Sequence, residues 1–342
     1  PPPPPLDSSA ASDVYKRQGF VSQFGTLKGI RLKKQKKRIE FLPYVASTNL
    51  IQPGNKNDPF WESNNVSGNL GVDVKLGLGS NFTLTGTINP DFGQVEADPA
   101  DLNLSAFETF FQERRPFFLE GTDIFQFGKT RSFSSGGSNL FYSRRIGRKP
   151  RGYINEENTQ FEDYPSQTDI ISALKFSGKT KSGFSIGILD AITKEEKATY
   201  IDSLGNEKTQ PIEPFSNSLV LRLKKDMDDG KVVLGSFMTH KANILSTAYL
   251  DSSFLKDALV LGADFEYALP DPSWILSGFA ASSSIRGDSK VITQIQNSSS
   301  HYFQRPEDNI DVDSSLTSLN GEGSEISLTT VSYTHLRAHE TS

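Results

Sequence analysis

Apolar and polar residues alternate along several stretches of this chain. From 70 to 78 every even position is apolar, and the odd positions are glycine or charged residues. The alternation resumes from Phe82 to Ile88 after a short turn at 79–81. A period of two predicts a β-strand with one apolar face and one polar face. Two such strands around a short turn predict a β-hairpin.

Three further pairs of strands repeat this pattern, and residues 39–45 are predicted as a first strand. The pairs are predicted at 170–176 with 184–191, at 218–224 with 232–239, and at 258–267 with 274–282. Longer polar stretches separate the hairpins at 192–217, 240–256 and 284–299. Short turns on one side and long loops on the other are typical of an outer-membrane β-barrel, whose strands cross the hydrocarbon in ~9–11 residues.

The sequence therefore predicts an all-β fold, an antiparallel up-and-down transmembrane barrel of which about 12–13 strands are present. In that arrangement Leu70, Val72, Val74, Leu76 and Leu78 contact lipid, whereas Asp73 and Lys75 face a wet lumen. A soluble β-sandwich that serves as a binding module is the alternative, because its strands alternate in the same way.

Residues 89–128 break the strand pattern. Leu104, Phe107 and Phe111 follow helical spacing, and Phe110 fits that spacing less clearly. Pro116 is expected to end that helix. The segment is rich in phenylalanine and in charges of both signs. We expect it to fold into the lumen as a short helical or irregular constriction.

Charged residues of this segment and of a nearby strand are the candidates for a structural network inside the lumen. Arg144 and Arg145 are predicted to lie in a strand, so that one of them faces the lumen or an interface and can pair with the acidic segment. The complete set of candidates is Asp91, Glu96, Asp98, Asp101, Glu108, Glu113, Arg114, Arg115, Glu120, Arg144 and Arg145.

Composition narrows the range of possible partners. The chain of 342 residues has 36 Lys and Arg against 41 Asp and Glu, a net charge of −5, and it contains no cysteine. Disulfides and thiolate metal sites are therefore excluded, and a mildly acidic chain is not expected to bind nucleic acid. No apolar run reaches the length of a membrane-spanning helix.

Motifs for catalysis or metal binding are weak. Ser185 lies in a G-x-S-x-G match, but inside an alternating strand rather than at a strand-to-helix turn. His240 and His301 have no ligand spacing around them. Asp91, Glu96, Asp98 and Asp101 are a weak candidate for Ca²⁺. Helix capping by Asp98 and salt bridges to Arg114 or Arg115 are the simpler interpretation. We predict no cofactor and no catalytic residue, although carboxylates within 91–123 leave a carbohydrate-active hydrolase as an alternative.

The two ends of the chain do not resemble protein domains. Residues 1–18 and 331–342 resemble translated adapter sequence, with a genuine Pro-rich linker and tail as the alternative. Residues 19–38 are predicted to be a linker from a missing upstream module, and 39–330 to be a fragment of the barrel domain with 89–128 inserted. The chain is accordingly expected to be an internal fragment.

One long motif resembles a known family. The sequence NPDFGQVEADPADLNLSAFETFFQERRPFFLEG at 89–121 is similar to the signature of a family of Gram-negative outer-membrane proteins. Members carry an N-terminal family-9-type carbohydrate-binding module and a C-terminal barrel domain of unknown function. Supporting similarities are FGTLKGI at 24–30, FLPY at 41–44, FYSRRIGR at 141–148 and YFQRP at 302–306.

This resemblance implies outer-membrane localisation, lipid as a partner, and polysaccharide as a partner of the missing upstream module. It implies no established activity. We therefore expect a non-enzymatic outer-membrane barrel that serves surface polysaccharide handling, or transport or export across the outer membrane.

Overall fold

The computed structural model describes residues 38–51, 53–54, 56–90, 111–128, 140–270, 274–298 and 311–330. Regular structure in these residues is mostly β-strand. The strands are β1 (Ile39–Ile51), β2 (Asn64–Leu78), β3 (Phe82–Ile88), β4 (Phe161–Asp163), β5 (Ile170–Lys179), β6 (Phe184–Thr193), β7 (Glu196–Ile201), β8 (Glu207–Glu213), β9 (Phe215–Met227), β10 (Val232–Ile244), β11 (Leu255–Ala268), β12 (Trp274–Gly287) and β13 (Ser318–Thr330).

Three short α-helices lie between these strands in the described residues. They are α1 (Pro116–Leu119), α2 (Ala248–Ser253) and α3 (Ser289–Gln296). The side chain of Thr247 caps α2 by accepting from the Leu250 amide, and that of Asp288 caps α3 by accepting from the Lys290 amide. None of the helices in the described part of the chain is both long enough and apolar enough to cross a membrane.

Ten strands form one antiparallel sheet, in the order β1-β2-β3-β5-β6-β9-β10-β11-β12-β13. The predicted all-β fold is confirmed, and so are the four predicted hairpins β2–β3, β5–β6, β9–β10 and β11–β12. Neighbouring strands of this sheet follow one another along the chain, so the sheet is a meander. It is interrupted twice, once by the segment after β3 and once by β7 and β8.

Three strands that the sequence pattern did not predict lie outside the large sheet. Strands β4, β7 and β8 form a separate sheet in the order β4-β7-β8, with its own small core of Ile154, Ala198, Tyr200 and Ile212. The prediction that 192–217 is a loop is therefore wrong. Strands β7 and β8 pair across a tight turn in which the Asp202 carboxylate accepts from the amides of Leu204 and Asn206.

The large sheet is open in the described residues. Strands β1 and β13 are its two edges, and no pairing between them closes a barrel. The structure thus establishes an antiparallel all-β architecture. A partial barrel was predicted, and no closed barrel is found in the described part of the chain.

The two faces of the large sheet differ. Cross-strand pairing places Leu70, Val74, Leu174 and Leu223 on one side, which we call the apolar face. The opposite side carries Lys75, Lys175 and Arg222, and we call it the covered face. The two sets separate because successive side chains of a strand point to opposite sides.

The main hydrophobic core lies on the covered face. The sheet contributes small or medium side chains to it, together with one phenylalanine: Ala173, Leu189, Ala191, Val220 and Phe237. The other side of the core is supplied by the segments 111–128 and 140–151, which lie across the sheet. Their buried hydrophobic residues are Phe117, Phe118, Phe125, Phe127 and Ile146.

Candidate functional site

Glycine residues let segment 111–128 approach the sheet closely. A Cβ at Gly187 would lie 2.8 Å from Ile124 Cγ2, and a Cβ at Gly262 would lie 2.6 Å from Phe127 Cζ. Both distances are too short for real carbon atoms. The absence of side chains at Gly187 and Gly262 therefore makes room for the aromatic residues of the segment.

An ion pair fixes the start of this segment. Arg115 Nη2 lies 2.7 Å from Glu113 Oε2, and both side chains are about 9% exposed. The Arg115 guanidinium also donates to the carbonyls of Ile146, at 2.6 Å, and Ser143, at 2.8 Å. Arg115 stands over the Phe118 ring, 4.2 Å from its centroid. Segments 111–128 and 140–151 are thereby joined through one buried arginine.

Glu113 is held in its ionised form. Burial opposes ionisation, but hydrogen bonds from Arg115 and from the Ser143 hydroxyl outweigh burial and lower the pKa of Glu113. The carboxylate therefore serves as a permanent acceptor for Arg115.

The middle of the segment is attached to the sheet by two lysines. Lys175 on β5 is 2% exposed, and its ammonium donates to the carbonyls of Phe117 and, at 2.6 Å, Glu120. Lys75 on β2 forms an ion pair with the Glu120 carboxylate. Two cations of the covered face thus bind the chain around α1.

The end of the segment lies over a buried ion pair inside the sheet. Arg222 on β9, with 1% of its side chain exposed, pairs with Asp264 on β11 through contacts of 2.6 and 2.7 Å. The Gly128 amide donates to Asp264 at 3.3 Å. The guanidinium also lies 5.6 Å from the centre of the Phe127 ring. Among the ion pairs of the described residues, Arg222 is the least exposed side chain, and its pair with Asp264 is bidentate.

Several predicted network residues meet at this site. Glu113 pairs with Arg115, Glu120 pairs with Lys75, and Arg144 donates to the Gln112 carbonyl at 2.8 Å. Arg114 and Arg145 also have interaction partners in the protein. The remaining candidates lie outside the described residues: Asp91, Glu96, Asp98, Asp101 and Glu108.

Two local predictions differ from the structure. Arg144 and Arg145 do not lie in a strand; they occupy a 3-10 turn at Ser143–Arg145. That turn forms because Tyr142 and Arg144 bind the backbone of Phe111 and Gln112, a contact that spacing along the chain does not encode. Pro116 begins helix α1 rather than ending a helix, since proline suits the first helical position. The helical spacing at Leu104, Phe107 and Phe110 lies outside the described residues.

Lys175, Arg222 and Asp264 were not among the site residues predicted from the sequence. The alternation of the strands did contain a signal for these residues. Each lies at a polar position of an alternating strand, as do Asp73 and Lys75, which were predicted to face the lumen. Their pairing could not be foreseen, since Arg222 and Asp264 lie on strands that are separated in the sheet by β10.

Two of the residues considered for catalysis or metal binding lie within strands. Ser185 lies within β6, and its side chain is on the covered face. His240 lies on β10 between Leu219 and Leu259, on the apolar face. His301 lies outside the described residues. In the part of the chain that the structure describes, no group of three or more His, Asp or Glu side chains is arranged to hold a metal ion.

Comparison with known proteins gives one assignment. No curated protein matches the chain. A family model described as "Domain of unknown function (DUF5916)" matches residues 36–315, a range that includes nine of the ten strands of the large sheet and both segments on its covered face. This match covers well over half of the sequence, and the chain therefore belongs to the DUF5916 family of domains of unknown function.

Proposed function

We propose that this chain is the β-barrel portion of an outer-membrane protein of a Gram-negative bacterium, non-enzymatic in itself. Its apolar face contacts lipid, and its covered face lines a lumen partly filled by residues 111–128. The barrel serves transport or export across the outer membrane, or the handling of surface polysaccharide. The observation that carries this proposal is the exposure of large hydrophobic side chains along the apolar face.

That exposure is continuous across the sheet. Leu70 is 67% exposed, Leu174 50% and Leu223 50%, and no described residue covers them as a second layer. Further exposed hydrophobic residues on this face are Phe41, Val45, Val66, Leu78, Ile88, Phe184, Ile188, Leu234, Leu261, Ile326 and Leu328. An apolar surface of this extent is characteristic of contact with lipid or with another protein.

Aromatic residues border the apolar face where the strands approach the short turns. Phe82 stacks on Phe176 with ring centres 5.3 Å apart, and Lys225 lies 4.2 Å from the Phe184 ring centre. Tyr267 and Trp274 occupy the same border on β11 and β12. Outer-membrane barrels place girdles of aromatic residues at the membrane interface.

Polar residues border the opposite end of the apolar face. Asn217 donates to Asp190 at 2.9 Å, and Arg286 donates to Asp257 at 2.9 Å. On β11 the apolar positions run from Leu259 to Tyr267, close to the ~9–11 residues with which a tilted strand crosses the hydrocarbon. The two borders together support a band of membrane-spanning height.

The covered face supports a lumen that is partly filled by protein. Charged side chains on this face, those of Lys175, Lys75 and Asp264, bind segment 111–128. The described carboxylates Glu113 and Glu120 are engaged by Arg115 and Lys75. This engagement favours a structural network over a pair of carboxylates poised for hydrolysis.

Tryptophan fluorescence tests the proposal, because the chain has two tryptophans in different places. Trp274 lies on the apolar face at the aromatic border, whereas Trp61 lies in the connection between β1 and β2. Trp61→Phe leaves Trp274 as the reporter, and Trp274→Phe leaves Trp61. Both variants are reconstituted into vesicles with and without brominated phospholipid.

We expect brominated lipid to quench Trp274 strongly and Trp61 little. The protein is also expected to stay with the membranes after a carbonate wash. Equal quenching of the two variants, or recovery in the soluble fraction, would reject the barrel and favour the soluble sandwich.

A further inference from the structure

Lys225 is a charged residue on the apolar face. It lies near the end of β9, between Phe184 on β6 and Leu234 on β10. Both neighbours are exposed hydrophobic residues of that face, and so is Leu223, two positions earlier on the same strand. Lys225 therefore places a positive charge among side chains that contact lipid in the proposed function.

The ammonium group of Lys225 is bound at the short turn between β5 and β6. It donates to the carbonyl of Ser182 in that turn and lies 4.2 Å from the centre of the Phe184 ring. A lysine near the end of a membrane-spanning strand places its charge at the level of the lipid headgroups in this way. The carbonyl and the ring thus hold the charge at the aromatic border.

Lys225 differs from neighbouring lysines in its partners. Lys179 and Lys231, at the ends of adjacent strands, form ion pairs with Asp226 and Asp228. No carboxylate of the described residues lies within ion-pair distance of Lys225, whose ammonium donates to one carbonyl. An ammonium group has three donors. Two of them therefore remain for an acceptor that is not part of the described chain.

A second lysine adds positive charge at this turn. Lys181 directly precedes Ser182, the residue whose carbonyl binds Lys225, and its side chain is exposed. It has no ion pair within the ranges that the structure describes. The hydroxyl groups of Thr180 and Ser182 lie 3.0 Å apart in the same turn. The short turn thus combines two lysines with hydroxyl groups at the border of the apolar face.

We propose that Lys225, assisted by Lys181, binds the phosphate group of an anionic phospholipid in the leaflet on the short-turn side. The phosphate oxygens accept from the ammonium groups, and the acyl chains lie along Phe184, Leu223 and Leu234. These hydrophobic neighbours favour a lipid over a free phosphate ion, because only a lipid contacts both the charge and the apolar side chains. The inference rests on the proposed function, since it requires the apolar face to contact a bilayer.

Quenching of a single tryptophan by brominated lipid tests this site in the full chain. The reporter chain carries Phe184→Trp and has phenylalanine in place of Trp61 and Trp274. Tryptophan at this position keeps the cation–π contact with Lys225. Vesicles of phosphatidylcholine with a minor share of phosphatidylglycerol carry bromine on one lipid or on the other. At equal amounts of brominated lipid, the ratio of the two quenching efficiencies gives the preference for phosphatidylglycerol.

Two substitutions in the reporter chain separate a specific site from a general effect of charge. Lys225→Gln removes the proposed phosphate ligand and keeps most of the side chain. Lys231→Gln is the matched control, because Lys231 lies directly before β10 and its ammonium is already paired with Asp228 at 3.6 Å. Both variants lose one positive charge near the same border, so a general effect would change both alike.

We expect the reporter chain to prefer phosphatidylglycerol, Lys225→Gln to reduce this preference about fivefold, and Lys231→Gln to leave it unchanged. Absence of a preference in the reporter chain, or equal reduction in the two variants, overturns the proposal. Quenching by brominated phosphatidylcholine verifies that each variant is inserted. If that lipid fails to quench the reporter chain, the barrel is rejected and the lipid site with it, so the two failures are distinguishable.

Discussion

The two faces of the large sheet differ in what they expose and in what they bury. The apolar face leaves leucine, valine and phenylalanine side chains exposed, whereas the covered face buries Lys175 and Arg222 to 2% and 1% exposure. Soluble proteins bury charged groups only rarely and at a cost in free energy. The proposed function accounts for this difference, because in it the apolar face contacts hydrocarbon and the covered face lines a polar interior.

The comparison also explains how the covered face holds its charges. Three charged side chains that are buried there have defined partners: Arg222 has Asp264, Arg115 has Glu113, and Lys175 has two backbone carbonyls. Charges on the covered face therefore fix the position of segment 111–128, whereas the apolar face needs only hydrophobic side chains of suitable size.

The largest effect is expected from Asp264→Ala on the covered face. Removal of this carboxylate leaves the buried Arg222 guanidinium unpaired, which should lower the free energy of unfolding by about 3–5 kcal/mol. Chemical denaturation measures the change. Asp169→Ala is the control, because Asp169 and Lys194 are both more than half exposed and their ion pair should contribute at most about 1 kcal/mol.

A double variant sharpens this prediction. Arg222→Met combined with Asp264→Leu removes both charges and should be less destabilised than Asp264→Ala alone. If the double variant is the less stable of the two, the pair is not what holds this part of the covered face together.

A smaller effect is expected from Leu223→Arg on the apolar face. In a bilayer this substitution should lower the free energy of unfolding by up to about 2–4 kcal/mol, the cost of an arginine near the midplane. The control is Leu204→Arg, in the turn between β7 and β8, where the leucine is 84% exposed. Both variants place an arginine at an exposed leucine, so only contact with lipid makes them differ. Unfolding measured in vesicles would contradict the proposal if the two substitutions had equal effects.

The smallest effect is expected from Gly262→Ala, which tests the close approach of segment 111–128. The new Cβ would meet the Phe127 ring at 2.6 Å, so the ring must shift, at a cost of about 1–3 kcal/mol. Gly323→Ala on β13 is the matched control, because a Cβ at that position would have no atom within 4 Å. Thermal unfolding of the two variants side by side measures the difference, and equal midpoints would show that the ring is not tightly packed.

Period-two alternation predicted the hairpins well, because it records directly which side of a strand each residue occupies. It predicted β2–β3 and β9–β10 and the side on which Lys75 lies. Residue spacing gave wrong or missing predictions where contacts between residues far apart in the sequence determine the conformation. The turn at Ser143–Arg145 depends on the backbone of Phe111 and Gln112, and the pairing of Arg222 with Asp264 depends on the register of three strands.

The two sheet edges have a practical consequence for anyone who purifies this chain. Strands β1 and β13 are thirteen residues each, and in the described residues their outer ladders of amides and carbonyls pair with no neighbouring strand. Such ladders are templates for strands from a second molecule. Concentrated samples should therefore self-associate edge to edge and grow into extended ribbons, and short strand-mimicking peptides should cap that growth.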